Sequence, residues 1–365
     1  MYKFLTKLVL TGGPCAGKTK ALARIYYELT EKGYIVYLVP EAATLVLNSG
    51  LQISERGINN FLFESLVLSM QSNNERIFEA AANFNDNRDV IIVCDRGIVD
   101  GKAYVSEDEF KTLCKELGQD EIIIRDSYDA VFHLKTAADG AESFYTNETN
   151  KMRRENLVEA REKDLKTLLA WVGHSHLRVI DNSTNFEMKI DRLMAEIYSF
   201  LGLPIPIEIE RKFLIDMPDI ENMKKCVFMT EVDILQTYLR CATKGEERRI
   251  RQRGINGSYS YFSTTKRKVN EISRIELEEK IDKDKYIELL MQTDLNSKPI
   301  RKTRYCFVYN NQYFELDIYP SWKDKAIIEI ELTDKNQLID IPNFISVIKE
   351  VTNDDKYKNR YLARE

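Results

Sequence analysis

The sequence predicts two domains of different fold class. An α/β domain with a parallel five-stranded sheet is expected over residues 1–203, and an α+β domain with an antiparallel β-barrel over 204–365. A chain of 365 residues exceeds the size of a usual single core. Apolar runs alternate with helical patterns in the first half, whereas charged and apolar residues alternate singly in the second. Pro204 and Pro206 mark the change between the two patterns.

The composition is that of an ordinary soluble protein, with 44% hydrophobic and 30% charged residues. A net charge of −5 argues against general attraction to nucleic acid, so no specific nucleic-acid partner is predicted. No apolar run has the length of a transmembrane segment. The six cysteines occur without a C-x-x-C pair, which suggests neither a disulfide framework nor a zinc site. We therefore expect a reduced, cytoplasmic protein.

A phosphate-binding loop is predicted by T-G-G-P-C-A-G-K-T at residues 11–19, because this spacing lies between an apolar run and a helical pattern. In such loops the backbone N–H groups converge on a phosphate, the lysine reaches the β- and γ-phosphates, and the threonine hydroxyl ligates Mg²⁺. The next helix directs its positive end toward the same anion. We therefore expect ATP or GTP as a ligand. The residues predicted to bind it or its metal are Gly12, Gly13, Gly17, Lys18 and Thr19.

Polar residues follow the second and third predicted strands, where ligands of parallel sheets bind. Asp95 is predicted to hold Mg²⁺, directly or through water, and Glu41 to accept a proton from an attacking hydroxyl or water. Arg96 is expected to bind the phosphate of an acceptor. Plainer readings stay open: Glu41 is also placed as a carboxylate at a helix N-terminus, and Asp95 as a structural residue.

A polar segment over residues 136–150 precedes a basic helical pattern, as in a lid that closes over a transferring phosphate. Arg153 and Arg154 are the candidate phosphate contacts, although a solvated charged helix face is the alternative. His174 and His176 have no third ligand in view, so we expect them at the surface.

The first half resembles the nucleoside and nucleotide kinase branch of the P-loop proteins. It is more closely similar to the AAA-like ATPase domain found fused to CYTH domains, through T-G-G-P-C-A-G-K-T, V-P-E-A-A-T and C-D-R-G-x-x-D-G-x-A-Y. The resemblance covers about the first 200 residues. One departure is Lys20, where such loops commonly carry a second Thr or Ser.

In the second half, charged residues occupy every second position of most predicted strands. A one-sided sheet with its charges in water shows such alternation. A closed barrel with its charges inside explains it as well and removes the exposed edges. Because buried charges must be paired or bind ions, that interior implies an anionic ligand with metals. The alternating residues include Glu208, Glu210, Lys212, Arg249, Arg251, Arg253, Lys266, Lys302, Arg304, Glu315, Asp317, Glu329 and Glu331.

The motif E-x-E-x-K at residues 208–212 resembles the CYTH, or triphosphate tunnel, superfamily, as does the closing segment 350–361. Members of this superfamily hydrolyse or bind triphosphates with Mg²⁺ or Mn²⁺. The resemblance implies that Lys212 orients or polarises the attacked group. It implies metal ligands at Glu208, Glu210, Asp317, Glu329 and Glu331. It implies phosphate contacts at Arg249, Arg251, Lys266, Lys302 and Arg304.

Three functions are consistent with these features. The leading hypothesis is a two-site phosphate enzyme, in which a P-loop domain binds ATP or GTP and a metal-dependent tunnel cleaves inorganic or nucleoside triphosphate. The second is a nucleotide-controlled switch whose tunnel binds a polyphosphate or phosphoinositide headgroup without turnover. The third is a kinase that phosphorylates a small hydroxyl acceptor with Glu41 as base.

Overall fold

The computed structural model describes residues 5–51, 53, 57–84, 89–145, 156–203, 209–241, 246–268, 274–332 and 337–364. The chain divides into two compact units, Met1–Met194 and Ala195–Glu365. The boundary that the sequence places after residue 203 stays a prediction. Within the described ranges, no helix combines the length and the apolar character needed to cross a bilayer.

The first unit contains the parallel five-stranded sheet that the alternation of apolar runs and helical patterns predicts. Its strand order is β2-β3-β1-β4-β5, so β1 lies between β3 and β4. Neighbouring carboxyl ends therefore meet at one edge of the sheet. The strands are β1 (Leu5–Gly12), β2 (Ile35–Val39), β3 (Val90–Asp95), β4 (Ala130–Leu134) and β5 (Leu177–Ile180).

Helices connect these strands, and each buries one face. In α1 (Lys18–Glu31) the buried residues Ala21, Leu22, Ile25 and Leu29 recur at helical spacing. At some of these helices a preceding side chain satisfies free N–H groups, as Asn156 does for α6 (Leu157–Ala170) by accepting hydrogen bonds from Val158 and Glu159. The other helices are α2 (Ala42–Asn48), α3 (Asn60–Asn83), α4 (Glu107–Glu116), α5 (Glu121–Arg125), α6 (Leu157–Ala170) and α7 (Phe186–Phe200), with 3₁₀ turns at Ile98–Ala103 and Glu142–Phe144.

The second unit is built on a nine-stranded antiparallel sheet with the order β10-β9-β8-β7-β11-β12-β13-β6-β14. Among the described residues, no pairing joins β10 to β14, so closure into a barrel stays a prediction. The strands are β6 (Ile209–Asp216), β7 (Met229–Leu239), β8 (Glu246–Ile255), β9 (Ser258–Lys268), β10 (Arg274–Ile281), β11 (Ile300–Tyr309), β12 (Gln312–Ile318), β13 (Lys325–Leu332) and β14 (Val347–Glu350). Short helices are α8 (Ile220–Cys226), α9 (Lys283–Leu290) and α10 (Asn359–Leu362), with a 3₁₀ turn at Asp355–Tyr357.

One face of this sheet is apolar and packs against covering segments such as α8, through residues that include Phe213, Phe314 and Met223. The opposite face carries the charged rows, and at its centre they are buried rather than solvated. Four charged residues there are at most 7% exposed: Lys302, Arg304, Asp317 and Glu329. The alternative of a charged face in bulk water therefore does not describe these residues.

Beyond the buried charges, the same face becomes apolar toward one end. Leu214, Tyr238 and Tyr319 pack there against Val351 and Ala363 of the C-terminal segment. The backbone N–H of Lys298 donates to the carbonyl oxygen of Ala363 at 2.6 Å, which holds that segment in place. The charged face is thus covered at this end by the chain's own C-terminal residues.

Candidate functional site

The predicted phosphate-binding loop joins the end of β1 to the start of α1. Gly12 and Gly17 have φ angles of 138° and 93°, values that favour glycine. A Cβ atom on Gly12 would lie 2.0 Å from the carbonyl oxygen of Leu134 on β4. The loop also holds Cys15 in the left-handed region, at φ 55°. These angles give the tight curl that directs successive N–H groups to one point.

Lys18 begins α1, and its side chain folds back over the loop. Its Nζ atom donates to the carbonyl oxygen of Gly12 at 3.2 Å. Burial lowers the pKa of Lys18, and the positive charge of Arg96 lowers it further. Thr19 lies next to it and is exposed, so its hydroxyl is accessible to a ligand. This is the arrangement in which a lysine contacts phosphate oxygens and a threonine contacts a metal.

Asp95 ends β3, the strand next to β1. Its Oδ1 atom is buried and has no hydrogen-bond partner among the residues that the structure describes. Burial raises the pKa of Asp95, although the charge of Lys18 opposes the shift. Because Mg²⁺ prefers carboxylate and hydroxyl oxygens, Asp95 and Thr19 fit a Mg²⁺ site.

Glu41 and Arg96 form an ion pair, with the Arg96 Nε atom 2.7 Å from Glu41 Oε1. Glu41 also accepts a hydrogen bond from the Thr44 hydroxyl at 2.5 Å. Burial alone would raise the pKa of Glu41, but Arg96 and Lys18 outweigh it and hold the pKa at about 2. The two residues therefore act on each other, a contact that their separate predicted roles did not include. Their roles as base and as phosphate contact stay predictions.

In the second unit, Lys212 lies between two carboxylates of the charged face. Its Nζ atom is 3.0 Å from Glu210 and 2.6 Å from Glu329. We call Glu210 and Glu329 the acidic pair. Burial raises the pKa of Glu210 to about 7; Lys212 opposes this shift and Glu329 adds to it. For Glu329 burial acts in the same direction, but Lys212, Lys302 and Arg304 hold its pKa well below the usual value.

Arg304 is the centre of a buried ion-pair network. Its Nε and one terminal nitrogen each lie 2.7 Å from an oxygen of Asp317, which also accepts from Lys302. Arg304 donates to Glu329 at 2.9 Å and to Glu315 as well. Both Asp317 oxygens and the two cations are thus paired with one another in this structure. The metal role of Asp317 and the phosphate roles of Lys302 and Arg304 stay predictions.

The remaining predicted cations lie on β8 and β9. Arg249 and Arg251 share the charged face with Lys266. Arg251 pairs with Glu278, which also accepts from the Thr264 hydroxyl at 2.8 Å. Glu331, predicted as a metal ligand, is exposed on β13.

Three predicted residues, Glu208, Arg153 and Arg154, lie outside the described residues. Within the described ranges, no group of three or more His, Cys, Asp or Glu side chains is placed to hold a metal. The acidic pair therefore offers two carboxylates, a donor set that suits a hard cation but is smaller than the expected one.

A family model described as an AAA domain matches residues 7–189. The chain belongs to this AAA domain family. The match covers the loop, Glu41, Asp95 and Arg96, and supports a nucleotide-binding role for the first unit. The comparison with curated proteins gives no match.

Among solved structures, the hypothetical protein NE1496 is 32% identical, with 44% of this chain and 99% of that chain covered and a TM-score of 0.31. The structure titled inorganic triphosphatase NE1496 is also 32% identical, with 44% of this chain and 95% of that chain covered and a TM-score of 0.31. The PH1819 protein from Pyrococcus horikoshii OT3 is 26% identical, with 35% of this chain and 80% of that chain covered and a TM-score of 0.28.

Residues of the AAA domain that sequence reasoning did not select also surround the loop. Asp100 is 3% exposed and accepts hydrogen bonds from the Thr11 hydroxyl at 2.6 Å and the Trp171 indole at 2.9 Å. Its position inside the motif C-D-R-G-x-x-D-G was the sequence feature that could have indicated it. His174, expected at the surface, is 1% exposed and hydrogen-bonds the carbonyl oxygen of Tyr128 at 2.9 Å, so that prediction was wrong.

Glu64 of the AAA domain is a second buried carboxyl that the sequence did not indicate. It is 5% exposed on α3. Burial raises its pKa to about 7, against the opposing charges of Arg96 and Lys163. Since its ordinary pKa is 4.5, the unfolded chain loses this proton at a lower pH than the folded one.

We expect Glu64→Gln to stabilise the protein above pH 7. The wild-type contribution of Glu64 is fully present below pH 4.5 and is lost as pH rises through about 7, because the ionised side chain is poorly solvated in the fold. This lowers the free energy of unfolding of the wild type by about 3 kcal/mol at most. Urea unfolding at pH 5 and pH 8, for the wild type and the variant, measures the difference. Equal pH dependence in the wild type and the variant would contradict the assignment.

Proposed function

We propose that this protein is a two-site phosphate enzyme. The AAA domain binds ATP or GTP with Mg²⁺, and the second unit hydrolyses inorganic or nucleoside triphosphate with Mg²⁺ or Mn²⁺. The observation that carries the proposal is the charged face of the second unit, where the acidic pair, with Glu329 buried, shares one sheet surface with Arg249 and Arg251. Such a surface would be unfavourable in an ordinary core, because burying charges is costly unless they bind one another or a ligand.

For the AAA domain, the support is the curl of the loop, the fold-back of Lys18 and the open coordination of Asp95. The Gly13 N–H already donates to Asp164 at 2.8 Å, so the other loop N–H groups and Lys18 would bind the β- and γ-phosphates. Thr19 and Asp95 would hold the metal. When bound, the metal neutralises phosphate charge. The Glu41–Arg96 ion pair does not supply the base that a kinase reaction needs, so we do not favour phosphorylation of a hydroxyl acceptor.

For the second unit, we propose that Arg249, Arg251 and Lys266 bind the phosphate oxygens and that Lys212 orients the attacked phosphate. Lys212 is suited to this role because two carboxylates fix its Nζ atom, which therefore loses little freedom when substrate binds. Glu210, Glu329 and Glu331 would hold the divalent metal, together with Glu208. That metal supplies Lewis-acid polarisation and a water of lowered pKa.

One observation favours a second candidate, in which the tunnel binds a polyphosphate or phosphoinositide headgroup without turnover under nucleotide control. Lys302, Arg304 and Asp317 already neutralise one another. Fewer groups than expected thus remain to stabilise charge that develops during hydrolysis. The two candidates differ in whether bound triphosphate is cleaved.

Two single variants separate the proposed sites. We expect Lys18→Met to abolish nucleotide binding while phosphate release from tripolyphosphate is retained. Lys212→Met should retain nucleotide binding and reduce tripolyphosphate hydrolysis by about 100-fold or more. The reason is that it removes a positioned cation from the place where negative charge develops during the reaction. Phosphate release with Mg²⁺ or Mn²⁺ and binding of a fluorescent ATP analogue are the measurements.

The wild type provides the decisive outcome. If it releases no phosphate from tripolyphosphate or any nucleoside triphosphate with either metal, the hydrolase proposal fails. Tight binding of tripolyphosphate without cleavage would support the switch instead.

A further inference from the structure

Three buried side chains form hydrogen bonds to the backbone of the phosphate-binding loop. The Gly13 N–H donates to Asp164 Oδ1 at 2.8 Å. The Thr136 hydroxyl donates to the carbonyl oxygen of Pro14. The Lys189 Nζ atom donates to the carbonyl oxygen of Ala16 at 3.2 Å. We call Asp164, Thr136 and Lys189 the rear clamp.

The rear clamp brings together three separate parts of the AAA domain. Asp164 lies on α6, Thr136 follows β4, and Lys189 lies on α7. Asp164 and Thr136 have no exposed surface and Lys189 is 3% exposed. The loop backbone is therefore fixed from elements far apart in the sequence, at positions where solvent cannot replace a lost partner.

The members of the clamp are themselves fixed by further hydrogen bonds. Asp164 also accepts from the Thr136 N–H at 3.0 Å and forms an ion pair with Lys135 Nζ at 2.9 Å, and His133 lies 3.2 Å from it. Lys189 donates in addition to the carbonyl oxygen of Lys135 and to Asn182 Oδ1, both at 2.7 Å. The clamp thus forms one connected network that leaves little freedom to the loop.

Packing agrees with this assignment. A Cβ atom on Gly13 would lie 2.7 Å from the Asp164 Cβ, so loop and clamp are in direct contact. Burial lowers the pKa of Lys189 to about 8, and burial opposes the ionisation of Asp164, whose pKa His133 and Lys135 nevertheless hold low. Buried ion pairs contribute little net stability. We therefore infer that these charged groups serve to fix the geometry of the loop.

We propose that Asp164 and Lys189 are positioning residues of the nucleotide site. They fix the loop backbone in the curled form before nucleotide binds, so that its N–H groups need no further ordering. This inference rests on the proposed nucleotide binding of the AAA domain. Preorganised donors bind more tightly because the cost of ordering them is met in folding.

The test compares Asp164→Asn and Lys189→Met with two controls. Asp139→Asn alters a carboxylate that pairs with Lys135 but is 50% exposed, and Lys166→Met alters an exposed lysine of α6. We expect both clamp variants to bind a fluorescent ATP analogue about tenfold more weakly. The controls should stay within about twofold.

A second readout distinguishes positioning from a general loss of fold. Without nucleotide, amide hydrogen exchange of the loop should accelerate in both clamp variants while exchange of the strands stays unchanged. Lys189→Arg, which keeps the charge and donors, should restore most of the affinity. If a charged-residue variant does not fold, Thr136→Val is the alternative. It removes two neutral hydrogen bonds, the one to the Pro14 carbonyl oxygen and the one from the Ala138 N–H, and is expected to show the same loop-specific change.

Each outcome decides the inference. Folded clamp variants with affinity within twofold of the wild type, or with unchanged loop exchange, overturn it while nucleotide binding itself stands. A wild type that binds no ATP analogue overturns the proposed nucleotide site and this inference together.

Discussion

Arg304→Ala is expected to lower the free energy of unfolding of the second unit by about 3–5 kcal/mol, because it removes one partner from a buried ion-pair network. Arg304 donates to both oxygens of Asp317 at 2.7 Å and to Glu329 at 2.9 Å. Asp317 has no exposed surface, so water cannot replace the lost guanidinium. Lys302 would remain as the cation paired with Asp317, and Lys212 as the cation paired with Glu329.

Urea unfolding monitored by circular dichroism measures this effect, and Arg211→Ala is the matched control. Arg211 also pairs with a carboxylate, at 2.6 Å from Glu350, but their side chains are 34% and 41% exposed. The control should therefore lose less than about 1 kcal/mol. A loss for Arg304→Ala no larger than that of the control would show that removing one partner of this network costs no more than breaking an exposed ion pair.

The sequence was sufficient for the sheet of the first unit, because runs such as Val90–Asp95 are short, apolar and separated by helical spacing. It was also sufficient to place the loop, since the glycine and lysine positions are set by local backbone geometry. Alternation likewise identified which face of the second sheet carries charge. These features depend on residues close together in the chain.

Partners across strands were not predictable in the same way. Alternation puts Arg304 and Asp317 on one face, but only the register of β11 with β12 sets them opposite each other. The resemblance implies a phosphate role for Arg304 and a metal role for Asp317, and it does not indicate that the two residues pair with each other. Glu41 and Arg96 illustrate the same limit at the ends of β2 and β3, where the parallel register brings them into contact.

The rear clamp was missed for a related reason. Asp164 lies in a stretch of charged residues on α6 that resembles a solvated helix face. Its burial depends on where α6 packs, which propensity and periodicity do not specify. The available signal was weak: a single Asp on the apolar side of a helix must have donors nearby when buried.

Glu210→Gln is expected to reduce metal-dependent tripolyphosphate hydrolysis by about 100-fold or more, since it removes charge where a cation would polarise the substrate. Glu210 is the more accessible member of the acidic pair, with 30% of its side chain exposed. Lys212 remains held by Glu329 at 2.6 Å in the variant. The fold should therefore persist, and the loss should lie in turnover and in Mn²⁺ affinity.

Glu350→Gln is the control for this experiment, because Glu350 pairs with Arg211 and lies outside the acidic pair. Phosphate release and titration calorimetry with Mn²⁺ are to be measured for both variants, with ATP-analogue binding as the test that the AAA domain is intact. Glu210→Gln with full hydrolysis would exclude the acidic pair as the metal site. Loss of hydrolysis with unchanged Mn²⁺ affinity would indicate instead that Glu210 holds Lys212 in position. The metal and Lys212 are the two partners available to its carboxylate.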